Sequence, residues 1–267
     1  MPELPEVETA RRSLRPVVGR RIADVQVQKP QAVRTHSPEA FARALRGRRV
    51  RGLDRRGKNL LILLNGQVLR FHFKLWGIVR LHSHPLVGDK ETAAVITFSD
   101  GSTLEFRELQ LSELGVHRTA DLARVSAIAD LGRDPLGSDF TWAEFQRQLA
   151  GARGAAKNAL TDQARFAGIG NLWAHEILHR ARIAPARPLG SLRPTDRRAV
   201  YRAVKTVLRE AVQKGGEPEF VDAQGRKGRF PLAVYGRDGQ PCPREGAPVR
   251  KGRLGGRPSF WCAACQK

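Results

Sequence analysis

Hydrophobic positions fall into three regimes along the chain. At the start they recur every three or four residues: Leu4, Val7, Ala10 and Leu14 share one face, and Arg11, Arg12 and Arg15 load its C-terminal end, which predicts a helix over 3–15. From 20 to about 106 the spacing shortens to two. Ala23, Val25 and Val27 alternate with Asp24, Gln26 and Gln28, the pattern of a half-buried strand. Apolar runs at 60–64 and 68–73 flank Asn65-Gly66, a two-residue hairpin signal, and runs at 93–98 and 103–106 flank Ser99-Asp100-Gly101-Ser102. The pattern predicts an antiparallel β-sandwich or flattened barrel that carries the N-terminal helix.

Helical spacing then returns. Asp134-Pro135-Leu136-Gly137 is a breaker run inside a predicted linker, 119–138. A helix is predicted over 141–150, with Trp142, Phe145 and Leu149 on one face. A longer one covers 193–214, with Val200, Val204, Val207, Leu208 and Val212 apolar and Gly215-Gly216 as its stop. Between them lie a short helical stretch at 157–163, the Gly-interrupted turn Phe166-Ala167-Gly168-Ile169-Gly170-Asn171, and a helix over 172–181. Glycines in such a turn let a phosphate approach main-chain N–H groups at the following helix start, where Asn171 is placed to cap. The predicted class is α+β with several domains: an antiparallel sandwich at 1–118, the linker, a helical domain at 139–232, and a C-terminal hairpin at 233–267.

Composition narrows the partners. The 267 residues suffice for two domains of ordinary size, and 41% are hydrophobic, enough for real cores. Lys plus Arg number 47 against 26 Asp plus Glu, a formal charge of +21 spread through the chain. Such a charge favours a polyanion, nucleic acid first and an acidic membrane surface second. No stretch reaches transmembrane length, and the acidic start lacks an apolar run. A soluble, cytoplasmic, monomeric protein is therefore expected, with no membrane partner.

Two regions offer chemistry. In Met1-Pro2-Glu3-Leu4-Pro5-Glu6-Val7-Glu8-Thr9, removal of Met1 would leave Pro2 as a secondary amine that can attack an aldehyde-like carbon and form an iminium ion. Its pKa would lie far below that of lysine. Glu3 stands beside it, where a general acid/base belongs. Without other information the stretch also reads as a proline-shaped helix start with favourable glutamates. At the other end, Cys242, Cys262 and Cys265 fit a metal site in a reducing compartment better than a disulfide framework. A C-x-x-C … C-x-x-C frame is intact except that Glu245 takes the second position. One zinc ion on Cys242, Glu245, Cys262 and Cys265 is one reading; an empty site held by packing is the other.

The opening Pro-Glu-Leu-Pro-Glu-Val-Glu-Thr closely resembles the start of the formamidopyrimidine-DNA glycosylase / endonuclease VIII family, in its formamidopyrimidine-DNA glycosylase branch. The run from Lys157 through Ala167-Gly168-Ile169-Gly170-Asn171 to Glu176 resembles that family's helix–two-turn–helix. Gly255-Gly256-Arg257-Pro258-Ser259-Phe260-Trp261 resembles its zinc-finger hairpin tip. The resemblance implies a base-excision repair enzyme clamping damaged or abasic double-stranded DNA, with an everted base. Pro2 would attack the sugar C1′, Glu3 would shuttle protons with Glu6 in support, and β- and δ-elimination would cut the strand. Lys58, in Arg55-Arg56-Gly57-Lys58, would assist elimination. His72, Lys157, Gly170, Asn171 and Arg257 would hold the DNA backbone, Arg257 as a bidentate clamp. Leu75 would fill the gap left by the everted base. A nucleoid-associated bacterial setting follows.

The resemblance breaks where the family reads DNA. An Asp-x-Arg-x-Phe-Gly run is replaced by Glu108-Leu109-Gln110-Leu111-Ser112-Glu113-Leu114-Gly115, with neither arginine nor phenylalanine, and its two glutamates are expected to repel phosphate. The histidine expected before the strand at Ala93 is absent, and the lesion-covering loop at 217–229 is short. These losses leave a second reading open: a non-catalytic protein that binds damaged or structured DNA. Pro2, Glu3, Glu6, Lys58, Asn171 and Arg257 oppose it, since binding alone needs no N-terminal proline.

Overall fold

The computed structural model describes residues 2–108 and 111–267. Its contacts divide the chain into two compact units, Met1–Ala129 with Pro218–Arg229, and Asp130–Glu217 with Phe230–Lys267.

The first unit opens with α1 (Leu4–Ser13). Leu4, Val7, Ala10 and Leu14 are fully buried, as their spacing predicts. Pro5 sits in the first turn, where a missing N–H has no helical partner to lose. The Glu6 carboxylate accepts the backbone N–H of Glu3 at 2.9 Å, part of a capping box.

Then follow β1 (Ile22–Val27), α2 (Pro38–Leu45), β2 (Val50–Arg56), β3 (Asn59–Leu64), β4 (Gln67–His72), β5 (Gly77–His82), β6 (Thr92–Phe98), β7 (Thr103–Glu108) and β8 (Glu113–Arg118). They form two antiparallel four-stranded sheets, ordered β2-β3-β4-β8 and β1-β6-β7-β5. Leu60, Leu69 and Phe71 of one sheet and Val25, Ile96 and Phe106 of the other share a single core, so the predicted sandwich is present. Asn65-Gly66 turns β3 into β4, with Gly66 at φ +70°.

Two local readings change. In β1 the pairing register shifts between Ile22 and Asp24, so Ile22 and Val25 point inward and Ala23 is exposed. The strand region also contains a helix: Ser37 accepts the N–H of Ala40 at 3.3 Å as N-cap of α2, whose Phe41, Ala42 and Leu45 are buried.

After α3 (Ser126–Ala129) the chain leaves this unit and returns at Pro218–Arg229. There Phe220 and Ala223 join the sandwich core. Ala223 donates its N–H to Ser13 Oγ at 3.1 Å and accepts that of Leu81 at 2.8 Å.

The second unit holds α4 (Trp142–Leu149), α5 (Ala156–Thr161), α6 (Asn171–Ala181), α7 (Pro194–Gln213) and the hairpin β9 (Arg250–Leu254) with β10 (Arg257–Trp261). Gly255 and Gly256 make its two-residue turn at φ +58° and +74°, values that branched residues resist. The predicted apolar stripe of α7 is buried. No helix among the described residues is long and apolar enough to cross a membrane.

Charge inside the first unit is matched locally. The buried Glu8 carboxylate accepts from Arg11 at 2.7 Å, Arg12 at 2.8 Å and the buried Arg55 at 3.4 Å. Burial alone would push its pKa up, but the three arginines outweigh it and hold the group at about 2, against 4.5 for an ordinary glutamate. Ionised Glu8 therefore stabilises the fold above pH 4.5, and that contribution is lost as pH falls from 4.5 toward 2. Glu8→Gln should cost about 2 kcal/mol at neutral pH. In urea titrations the gap between variant and wild type should narrow over that acid range; a constant gap would show that the ion pairs are not its source.

Candidate active site and nucleic-acid interface

Pro2 lies directly before α1 and is buried, as are Glu3 and Glu6 at 2% and 1% exposure. Because Glu6 holds the Glu3 amide, the peptide that follows Pro2 is fixed to the helix. α1 is in turn linked to the β2–β3 turn: Glu8 meets Arg55, and Arg55 donates to the Gly57 carbonyl at 3.0 Å. Gly57 takes φ +56° in this two-residue turn, which places half-buried Lys58 at its tip.

Next to Lys58, Asn59 pairs in register with His72 at the end of β4. Burial, with the charges of Lys74 and Arg70, lowers the His72 pKa to about 4, so the ring is neutral at physiological pH. Its Nδ1 accepts the Lys74 N–H at 3.0 Å, which puts the ring proton on Nε2 as a donor.

Beyond His72, Lys74 adopts φ +48° and the Gly77 N–H returns to the Phe73 carbonyl at 2.7 Å. A Cβ at Gly77 would come within 2.7 Å of that carbonyl oxygen, so only glycine fits. This turn displays Leu75 and Trp76, 40% and 47% exposed. Trp76 was not singled out by sequence; an aromatic beside Leu75 was its only signal. Leu109 and Gln110 lie outside the described residues. Glu113 is not a free repulsive charge: it pairs with Arg70 at 3.3 Å and Lys74 at 3.1 Å.

In the second unit, the turn before α6 is braced by a residue whose role the sequence did not reveal. Gln163 Oε1 accepts the Gly168 N–H at 2.9 Å, and its Nε2 donates to the carbonyls of Ile169 at 2.7 Å and Thr161 at 2.9 Å. Gly168 takes φ +95°. Gly170 is extended and is itself the N-cap of α6, which corrects the expectation for Asn171. Asn171 is the first helical residue; its amide accepts from Lys157 Nζ at 3.2 Å and donates to the Pro258 carbonyl at 3.1 Å. Lys157 Nζ reaches the same carbonyl at 3.3 Å, and burial with the nearby Arg257 charge lowers its pKa.

His175 adds a further tie from α6 to β10. Its Nδ1–H donates to the Asn171 carbonyl, so Nε2 accepts from Ser259 Oγ at 3.1 Å. Arg257 thus precedes an anchored Pro258 yet is itself exposed. Lys157, Asn158, Thr161, Asp162, Gly255 and Arg257 line an open groove of about 210 Å³. Two cations converge on it, a suitable receptor for a phosphate.

The expected metal ligands are only partly brought together. Cys242 and Cys265 are joined by His179 of α6, all three ligand atoms lying within 4.8 Å of one another. Cys262 is fully buried in the same small core cluster as Cys242 and Cys265. Glu245 stands outside this group on an exposed turn, where a carboxylate stays hydrated. The soft, buried donor set fits a thiolate-preferring metal ion.

Residues 1–112 match the model for the formamidopyrimidine-DNA glycosylase N-terminal domain, and residues 131–220 that for the formamidopyrimidine-DNA glycosylase H2TH domain. The chain belongs to the formamidopyrimidine-DNA glycosylase family. It is 38% identical over 274 residues to the formamidopyrimidine-DNA glycosylase of Geobacillus kaustophilus, with all of both chains covered. Among solved structures, the MutM (Fpg) protein of Thermus thermophilus aligns with TM-score 0.88 and 37% identity, over 99% of this chain and 98% of that one. The Lactococcus lactis Fpg complexed with abasic-site DNA aligns with TM-score 0.91 and 28% identity, over 99% of each chain.

Removing the brace should loosen the turn without reshaping the fold. Gln163→Ala is expected to cost about 1–3 kcal/mol and to speed hydrogen exchange at Gly168. Unchanged exchange there would show that the turn holds itself.

Proposed function

We propose that this protein is a base-excision DNA glycosylase with abasic-site lyase activity that acts on oxidised bases in duplex DNA. The observation that carries this reading is the buried Pro2-Glu3 pair whose following amide is held by Glu6. The family's known members support the substrate class, and the Lactococcus lactis relative is bound to abasic-site DNA. With Met1 removed, Pro2 bonds to C1′ and the base departs with the glycosidic electron pair. Glu3 supplies and removes the protons this requires. The resulting iminium acidifies the adjacent sugar proton, so β-elimination and then δ-elimination break the strand. Lys58 and the Nε2–H of His72 serve the phosphates near the reacting sugar. Lys157, Gly170, Asn171 and Arg257 hold the backbone by charge and main-chain N–H groups. Leu75 and Trp76 enter the stack as an apolar wedge.

The cysteine-rich cluster holds one zinc ion that orders the hairpin bearing Arg257 and takes no part in the chemistry. The charge of +21 suits a cytoplasmic protein working on chromosomal DNA. A non-catalytic binder would gain nothing from a buried proline next to the start of the chain whose following amide is held by Glu6.

Borohydride trapping on abasic-site DNA tests the chemistry. Pro2→Gly should reduce or abolish the trapped complex, and Glu3→Gln should abolish base excision while sparing abasic cleavage more. Excision by Glu3→Gln at the wild-type rate would remove Glu3 from this role.

Specificity gives a second test. The described residues from Leu111 to Leu114 offer no arginine to the orphaned partner base. A bidentate base contact is worth about 1–3 kcal/mol, so its loss should flatten opposite-base preference by roughly one to two orders of magnitude in relative rate. Rates for one lesion opposite each of the four bases measure this. A strong preference for cytosine would mean that another residue reads the partner.

A further inference from the structure

We propose that His179 is the fourth protein ligand of the metal site, taking the place that the chain spacing gives to residue 245. The proposal rests on the zinc reading above. A tetrahedral zinc with sulfur at about 2.3 Å and nitrogen at about 2.0 Å sets its donor atoms roughly 3.5–3.8 Å apart. His179 Nε2 lies 3.3 Å from Cys242 Sγ, and Cys242 Sγ lies 3.9 Å from Cys265 Sγ. Those separations bracket what one shared ion requires. Burial agrees: His179 is 5% exposed, Cys242 2%, Cys262 0% and Cys265 5%. All three cysteines are free thiols. A buried set of sulfur and nitrogen donors at these separations offers one soft metal ion a dry set of ligands.

Glu245 is exposed, while its neighbour Arg244 donates to the His179 carbonyl at 2.9 Å, so the finger's first turn docks on the same helical turn as the imidazole. Charge favours the exchange as well. Three thiolates, one neutral imidazole and Zn²⁺ sum to one negative charge, against two with a carboxylate. The former is a smaller charge to bury. The zinc thus joins α6, which begins with Asn171, to the module that carries Arg257.

The test uses the full chain and zinc or cobalt(II) as the probe. Wild type should hold one zinc by elemental analysis. In chelator competition Glu245→Gln should keep wild-type affinity, and His179→Ala should lose at least tenfold. Cobalt(II) spectra report thiolate number without depending on stability. His179→Cys should bind cobalt with a stronger sulfur-to-metal charge-transfer band than wild type, because a fourth thiolate replaces an imidazole. Equal bands in wild type and His179→Cys, wild-type affinity in His179→Ala, or zinc loss confined to Glu245→Gln would each overturn the assignment while leaving the zinc reading intact. A wild type that takes up neither metal would overturn both.

Discussion

A nucleophile at a chain terminus is useless unless the terminus stops moving. Here a reciprocal capping box, with the Glu3 amide bonded to the Glu6 carboxylate, joins the first residues to a helix whose apolar face is wholly buried. Near-attack geometry tolerates errors of well under an ångström, far less than a free terminus wanders. The sandwich supplies the immobility: α1 lies on it through Val7, Ala10 and Leu14, and Glu8 ties the helix to the strand that leads to Lys58. The second unit solves the corresponding problem for Arg257. Asn171 and Lys157 both bond the Pro258 carbonyl, and His175 holds Ser259, so an exposed arginine springs from a fixed backbone.

A basic protein must also keep its cations from disrupting its own interior. The acidic groups are few, and several are spent inside: Glu8 on three arginines, Glu113 on Arg70 and Lys74, and Glu105 and Glu91 on Arg107. Their partners are organised rather than removed, and the buried Lys157, which has no acidic partner among the described residues, is met instead by the Asn171 amide oxygen and the Pro258 carbonyl.

The sandwich was legible because its signals are local. Asn65-Gly66 fixes a turn within four residues, and period-2 runs on either side follow from it. The bulge in β1 was not, since a register shift leaves no mark on composition. α2 does carry a local signature, Ser37-Pro38-Glu39, but it sits inside a strand-rich region that masked it. The candidate group Pro2, Glu3 and Glu6 was readable from residue type and place, and all three are buried. The ligand frame did not point to His179, because chain spacing stands in for distance only inside one local motif. His179 and Cys242 are 63 positions apart and meet only in the fold. Gln163, His175 and Ser259 escaped notice for the same reason: they act by holding other residues, which spacing does not show.

The path of the chain imposes an order on biosynthesis. Residues Pro218–Arg229 supply Phe220 and Ala223 to the core of the first unit, yet they are made only after most of the second. As the chain leaves the ribosome, the sandwich would stand with part of its core open while α4 to α7 are synthesised. With synthesis at about 5–20 residues per second, that interval lasts several seconds, during which apolar surface lies uncovered. A fragment ending at Ala129 carries the same opening permanently. The segment is thus a late closing piece of the sandwich, and the nascent chain most needs protection from aggregation just before it emerges.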